Sequence, residues 1–269
     1  SVPEFNRTMV AMTNWVSPEQ GCNYCHYVDP QGAVNMASEN RYTKHVSRRM
    51  IQMVKYINEE WSEHVGEEGV NCWTCHVGQP QPSMERVWTF DEGDPNQHFY
   101  LDRADVRVQP QAGLTANAEV ETSIQNARNT YWYMIETSQA LGVNCTYCHN
   151  SARFGAWDES PPARVNALRG YRMVRQINQQ YIEPLQGQLA DEGVQFPDSV
   201  LGPQGDVPKV QCLTCHQGLA IPQYGQARAT GYPGLLLPWA ENPAEAPTEA
   251  FLPPLKRPLF HPEFVGEAP

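Results

Sequence analysis

Four pentapeptides carry the chemistry of this chain: Cys22-Asn23-Tyr24-Cys25-His26, Cys72-Trp73-Thr74-Cys75-His76, Cys145-Thr146-Tyr147-Cys148-His149 and Cys212-Leu213-Thr214-Cys215-His216. Two thiols separated by two residues, with an imidazole fused to the second, form the pattern of covalent c-type haem attachment. The thiols add to the vinyl groups of the porphyrin, and the adjacent His turns under the ring as proximal iron ligand. All eight cysteines fall in these motifs. Four covalently bound haem c groups are therefore expected, with His26, His76, His149 and His216 as first axial ligands. Zinc fits less well, because a ligand His normally stands several residues from its Cys pair. A disulfide framework leaves the repeated His unexplained. A thioredoxin-like dithiol needs a βαβ context that is absent.

Large flat apolar cofactors replace much of a side-chain core, and the composition agrees: 269 residues, 41% hydrophobic, with 23 Pro and 19 Gly. No apolar run approaches the length of a membrane span; the nearest is the short Leu235-Leu236-Leu237-Pro238-Trp239 stretch. No signal peptide is visible at Ser1, which reads as a mature or trimmed chain. Covalent haem attachment takes place outside the bacterial cytoplasm, so a periplasmic location is expected. The formal charge of −11 argues against nucleic acid as a partner and suits steering of a basic protein.

The elements that must position the motifs are mostly helical. A short helix is predicted over 5–14, ahead of the first motif. The clearest lies over 42–63, where Val46, Met50, Met53, Val54, Ile57 and Trp61 share one 3.6-period stripe. Helices are also predicted over 119–141 and 161–186, each ahead of a later motif, with Pro162 suiting a first turn. Between 79 and 118 prolines and glycines dissolve the pattern, with a short strand or two over 98–108. The proline-rich stretch 226–269 reads as an extended tail. Met53-Val54-Lys55-Tyr56-Ile57-Asn58 lines up with Met173-Val174-Arg175-Gln176-Ile177-Asn178, and residues 67–70 with 191–194. The expected fold is mainly α with extensive irregular loops, in two pseudo-repeated two-haem halves: 1–113 with the connector, 114–225, and the tail 226–269.

Each iron needs a sixth ligand. Met9 or Met12 can serve the first haem, Met50 or Met53 the second and Met134 the third. Each lies on a helix upstream of a motif, and Met ligation raises the potential relative to His.

Met-bearing helices placed before Cys-X-X-Cys-His motifs resemble the tetrahaem cytochrome subunit of the purple-bacterial photosynthetic reaction centre, over essentially the whole stretch from Met9 to His216. Met9 stands thirteen residues before Cys22, Met134 eleven before Cys145, and Met50 and His64 are fourteen apart, as in that family. The resemblance implies Met9, Met50 and Met134 as the Met ligands. It implies a periplasmic electron wire rather than an enzyme, with the haem at His149 nearest the photo-oxidised bacteriochlorophyll pair and that at His26 farthest out. The implied partners are the L and M subunits, with a soluble cytochrome c or a high-potential iron–sulfur protein as donor. The family's N-terminal segment, often with a lipid-bearing Cys, is missing here, so membrane contact is expected only through partners or that segment. For the fourth haem, aligning Met53 with Met173 puts Gly170 opposite Met50, which removes the Met ligand. His64, near the end of the 42–63 helix, is then expected to face His216.

Two other classes fit the motifs: a periplasmic multihaem oxidoreductase, which needs an open sixth position, and a free tetrahaem carrier with bis-His ligation. Only His45, His64, His98 and His261 remain for the latter. His45 reads as solvated or at a haem edge, and His98 and His261 as loop residues. Arg48, Arg49, Arg128, Arg153, Arg164 and Arg172 are candidates to pair with haem propionates.

Overall fold

The computed structural model describes residues 1–90, 124–156 and 158–236, with side chains from residue 130 in the second stretch. His98, the strand expected over 98–108, the Arg128 side chain, His261 and the tail beyond residue 236 lie outside the described residues. Within them helices dominate. Sheet is confined to two short antiparallel pairs, β1 (Tyr27–Val28) with β2 (Val34–Asn35), and β3 (Val87–Trp88) with β4 (Lys209–Val210).

Helix α1 (Val2–Val16) includes the expected 5–14 segment, with Pro3 in the first turn where its missing N–H costs nothing. The Ser17 N–H closes it on Thr13 O at 2.9 Å, and Pro18 cannot continue the ladder. Helix α2 (Tyr42–Glu60) buries Met53, Val54 and Ile57 from the stripe. It was expected to run to 63, but the backbone leaves helical values at Trp61 and restarts as the single turn α3 (Ser62–Val65), which Gly66 stops at φ +74°. His64 therefore stands on its own turn rather than on the α2 cylinder.

Motifs two and four fold as the short helices α4 (Cys72–His76) and α8 (Cys212–His216). The third motif follows α5 (Ile124–Leu141), ended at Gly142 with φ +64°. The helix expected over 161–186 is three pieces: α6 (Ala163–Ile177), a π turn (Asn178–Ile182) and α7 (Glu183–Asp191). Pro184 has no N–H to give and its ring crowds the carbonyl a turn back, so the ladder widens just before it.

The core lies where α2 meets α6. Met53 and Ile57 pack with Met173, Val174 and Ile177, with Tyr133 of α5 and with Trp88 and Val210 of the β3–β4 pair. Residues before and after the connector thus share one core.

The matching hexapeptides do matching work. Asn58 donates to Val70 O (3.0 Å) and accepts from Val70 N (2.7 Å). Asn178 does the same to Val210, both at 2.8 Å. Each amide clamps the residue two before the first Cys of a motif. The clamped partner in the second case is Val210 and not Val194, which the 67–70 and 191–194 likeness pairs with Val70. The Val194 N–H closes on Leu189 O at 2.8 Å instead, and the loop after it carries the chain to Val210.

Candidate haem-binding site

Helices α4 and α8 are built alike. Asn71 and Gln211 cap them, and the Thr74 and Thr214 hydroxyls accept from the cap N–H groups at 3.1 and 3.0 Å. Val77 (φ 53°) and Gln217 (φ 52°) then turn left-handed, followed by Gly78 (φ 76°) and Gly218 (φ 81°). Each glycine N–H is taken at 2.8 Å by a carbonyl near the end of an earlier helix, Trp15 O of α1 and Ala140 O of α5. Motifs one and three are different: each is a single tight turn, Gly21–Tyr24 and Cys145–Tyr147. The third residue of the motif tracks this split, Thr in the helical pair and Tyr in the turns.

This folding aims the imidazoles. His76 Nδ1 donates to Gln79 O, His216 Nδ1 to Leu219 O and His149 Nδ1 to Phe154 O, each at 2.9 Å. A carbonyl can only accept, so Nδ1 carries the proton and Nε2 keeps the lone pair a metal needs. The Phe154 ring stacks on His149, with centroids 4.4 Å apart. His26 Nδ1 is buried and without a partner. His64 follows the anchored pattern, its Nδ1 3.0 Å from Asn166 O. Burial pulls His64, His76, His149 and His216 below the usual imidazole range, which keeps them neutral and able to ligate.

Motifs two and four open on one largely apolar cavity of about 290 Å³, lined by Cys72, Cys75, His76, Cys212, Cys215 and His216 together with Met50, His64 and Gly170. Burial pushes the Cys72 and Cys212 thiols up to about 12. The Cys215 thiol beside it and burial raise Cys75 as well. Four thiols and two Nε2 atoms around one apolar space are the donor set that covalent haem attachment requires.

His64 and His216 are neighbours with ring centroids 6.2 Å apart and ring planes inclined by 63°. An imidazole nitrogen lies about 2 Å from a first-row metal it ligates, and its ring centroid about 1 Å farther, so two rings sharing one metal stand about 6 Å apart. The spacing fits. Gly170 makes room for it: a Cβ there would come 2.6 Å from His64 Cε1 and 3.0 Å from Nε2. The space vacated at Gly170 is thus filled by the His64 ring itself.

Of the methionines, Met50, Met53 and Met173 all line the cavity, Met53 and Met173 being buried in the core as well. Met9 and Met12 are both half-buried on α1 and Met134 half-buried on α5, outside the cavity lining. His45 departs from expectation. Its Nδ1 lies 2.7 Å from a Glu192 carboxylate oxygen and its Nε2 2.9 Å from Glu39 O, so it ties α2 to the end of α7 and is not solvated. Several expected propionate partners are already engaged: Arg48 by Glu39, Arg153 by Glu159 and Arg164 by Gly155 and Ala156 carbonyls. Sequence reasoning missed the carbonyl anchors and the asparagine clamps; only the repeated Asn of the matching hexapeptides signalled the latter.

The sequence matches the family described as photosynthetic reaction centre cytochrome C subunit over residues 1–99 and 92–236. The photosynthetic reaction center cytochrome c subunit of Rubrivivax gelatinosus is 39% identical over 263 residues, covering 87% of this chain and 68% of that protein. That of Thermochromatium tepidum is 40% identical over 261 residues, covering 87% and 61%. A cytochrome c-554 from Chloroflexus aurantiacus is 27% identical over 268 residues, covering 75% and 63%. The chain thus spans 61–68% of the length of the first two relatives. With its attachment motifs and family match together, the chain belongs to the photosynthetic reaction centre cytochrome c subunit family.

Proposed function

We propose that the chain holds four covalently bound haem c groups and relays electrons on the periplasmic side of the photosynthetic membrane. The acceptor is the photo-oxidised bacteriochlorophyll pair of a reaction centre with L and M subunits, and the donor is a soluble cytochrome c or a high-potential iron–sulfur protein. Cys22 and Cys25, Cys72 and Cys75, Cys145 and Cys148, and Cys212 and Cys215 form the thioethers. His26, His76, His149 and His216 are the proximal ligands. Met9, Met50 and Met134 close the first three irons, and His64 closes the fourth. Haem would supply a one-electron couple at each site, and a Met or second His opposite the proximal His would leave no vacant place for a substrate.

The observation that carries this reading is the 6.2 Å spacing of His64 and His216 over Gly170. Two imidazoles at that spacing support a closed coordination pair, the opposite of what an enzyme needs at its iron. The chain's own residues do the rest: backbone carbonyls hold Nδ1 of His76, His149, His216 and His64, and the apolar lining keeps water away. The matched clamps and capped helices support a repeated two-haem unit, with halves at 1–113 and 114–225. No helix among the described residues is long and apolar enough to cross a membrane, so the proposed membrane contact runs through partners or a preceding segment.

The test is flash spectroscopy on membranes containing the complete reaction centre. Recovery of the bleached bacteriochlorophyll pair is expected to track oxidation of a c-type haem. Carbon monoxide added to the reduced protein is expected to bind no iron. Binding by carbon monoxide, with no flash-induced haem oxidation, would show a vacant coordination site and point to the oxidoreductase instead.

A further inference from the structure

We infer that Arg86 is a shared positioning residue for the second and fourth haem sites, locking their attachment turns together and holding both midpoint potentials up. This rests on the proposal that the motifs at 72–76 and 212–216 each carry a haem.

Arg86 lies ten residues past His76, in the short turn Met84–Arg86 that leads into β3. Because β3 pairs with β4, directly ahead of the fourth motif, this segment belongs to one site by sequence and to the other by contact. The guanidinium Nη2 donates to Cys75 O of α4 and, at 2.7 Å, to Thr214 O of α8. The first carbonyl belongs to the peptide that joins Cys75 to His76. The second belongs to the peptide that joins Thr214 to Cys215. The Thr214 hydroxyl in turn donates to Arg86 O. One side chain therefore closes last-turn carbonyls of both motif helices, groups that no helical N–H can reach. Gln217 adds a parallel strut, with Nε2 3.0 Å from Thr74 O.

The charge is placed as centrally as the bonds. The Cys75 and Cys215 thiols lie side by side, and both interact with the Arg86 charge. Its Nε is buried and unpartnered, and among the described residues no carboxylate pairs with it. A guanidinium does not give up its proton in a protein. A fixed positive charge opposes the ferric state more than the ferrous one, so it raises the potential of every iron near it. Contact with both attachment turns means that two irons respond together.

The test is a redox titration of the holoprotein with spectra resolved for each haem, comparing wild type with Arg86→Gln, Arg86→Met and Arg86→Lys. Wild type should show four waves. Fewer than four would sink the tetrahaem reading itself, a failure distinct from that of this inference. In the two neutral variants, two of the four midpoints are expected to move negative together while the other two hold. Arg86→Lys keeps the charge and should leave the pair close to wild type. Haem loss in both neutral variants, with four haems retained in Arg86→Lys, also supports the assignment. An assembled neutral variant in which one wave, all four or none move overturns it.

Discussion

Replacing Gly170 by Ala is the sharpest probe of the His64–His216 pair. The added methyl would meet His64 Cε1 at 2.6 Å, where ordinary contact begins near 3.4 Å, so the ring must retreat by about 0.8 Å (3.4 − 2.6) or α6 must move. An overpacked core of this kind costs about 1–3 kcal/mol. Opposing it, Gly→Ala within a helix gains about 0.5–1 kcal/mol, which leaves a net loss of about 1 kcal/mol. The ligand bond is the more sensitive reporter. An imidazole pushed back by that distance from a bond of about 2 Å no longer ligates well. One haem of the holoprotein is expected to turn high-spin or to shift its potential, while three stay low-spin and unmoved. Low-temperature absorption and redox titration read the haems, and a urea midpoint reads stability. Gly187→Ala is the control: it lies within α7 with nothing within 4 Å of its Cβ, so it should stabilise by about 0.5–1 kcal/mol and leave all four haems alone. Four low-spin haems with unchanged potentials in Gly170→Ala would refute the coordination argument.

Three further outcomes are expected. Met9→Leu should produce a high-spin first haem while Met12→Leu keeps it low-spin; the reverse assigns the ligand to Met12. Asn178→Ala, at a side chain with no exposure, leaves the Val210 N–H and C=O unpaired, and at about 1–3 kcal/mol for each stranded group it should lower the urea midpoint far more than any surface change. Glu39 is held at about 2 against an ordinary 4.5, chiefly by the Arg48 fork and also by Lys44. A depressed carboxylate stabilises fully above its unfolded value, so the advantage of wild type over Glu39→Gln should fade as pH falls from 4.5 to about 2. An acid titration in which the two curves stay parallel through that window contradicts it.

The helices were legible because amphipathic stripes state their own period, and α1, α2 and α6 begin within a few residues of where the pattern places them. Their ends were less so. The break at Trp61 and the π turn before Pro184 depend on how each helix meets its neighbours, and periodicity averages over such a step. The partners of His45 were missed for a related reason. Its partner Glu192 lies 147 residues away, a separation at which a sequence without relatives beside it carries no pairing signal.

The haem sites divide along the same line. Attachment chemistry needs particular side chains, so Cys-X-X-Cys-His can be read directly. What aims those side chains is mostly backbone: Gln79 O, Leu219 O, Phe154 O and Asn166 O hold the Nδ1 atoms, and any residue type supplies a carbonyl. Such anchors leave no mark in the sequence. The exception is instructive. Gly170 was visible as a missing Met in a repeated helix, and the structure fills that gap with the His64 ring. The position of His64 was therefore signalled by a side chain that is absent, because losing the Met at 170 and admitting the His64 ring there are one steric event. The same logic separates Arg86 from the arginines near the haem helices. Its importance lies in touching two motif carbonyls at once, a property of where β3 meets β4 and not of any local pattern around residue 86.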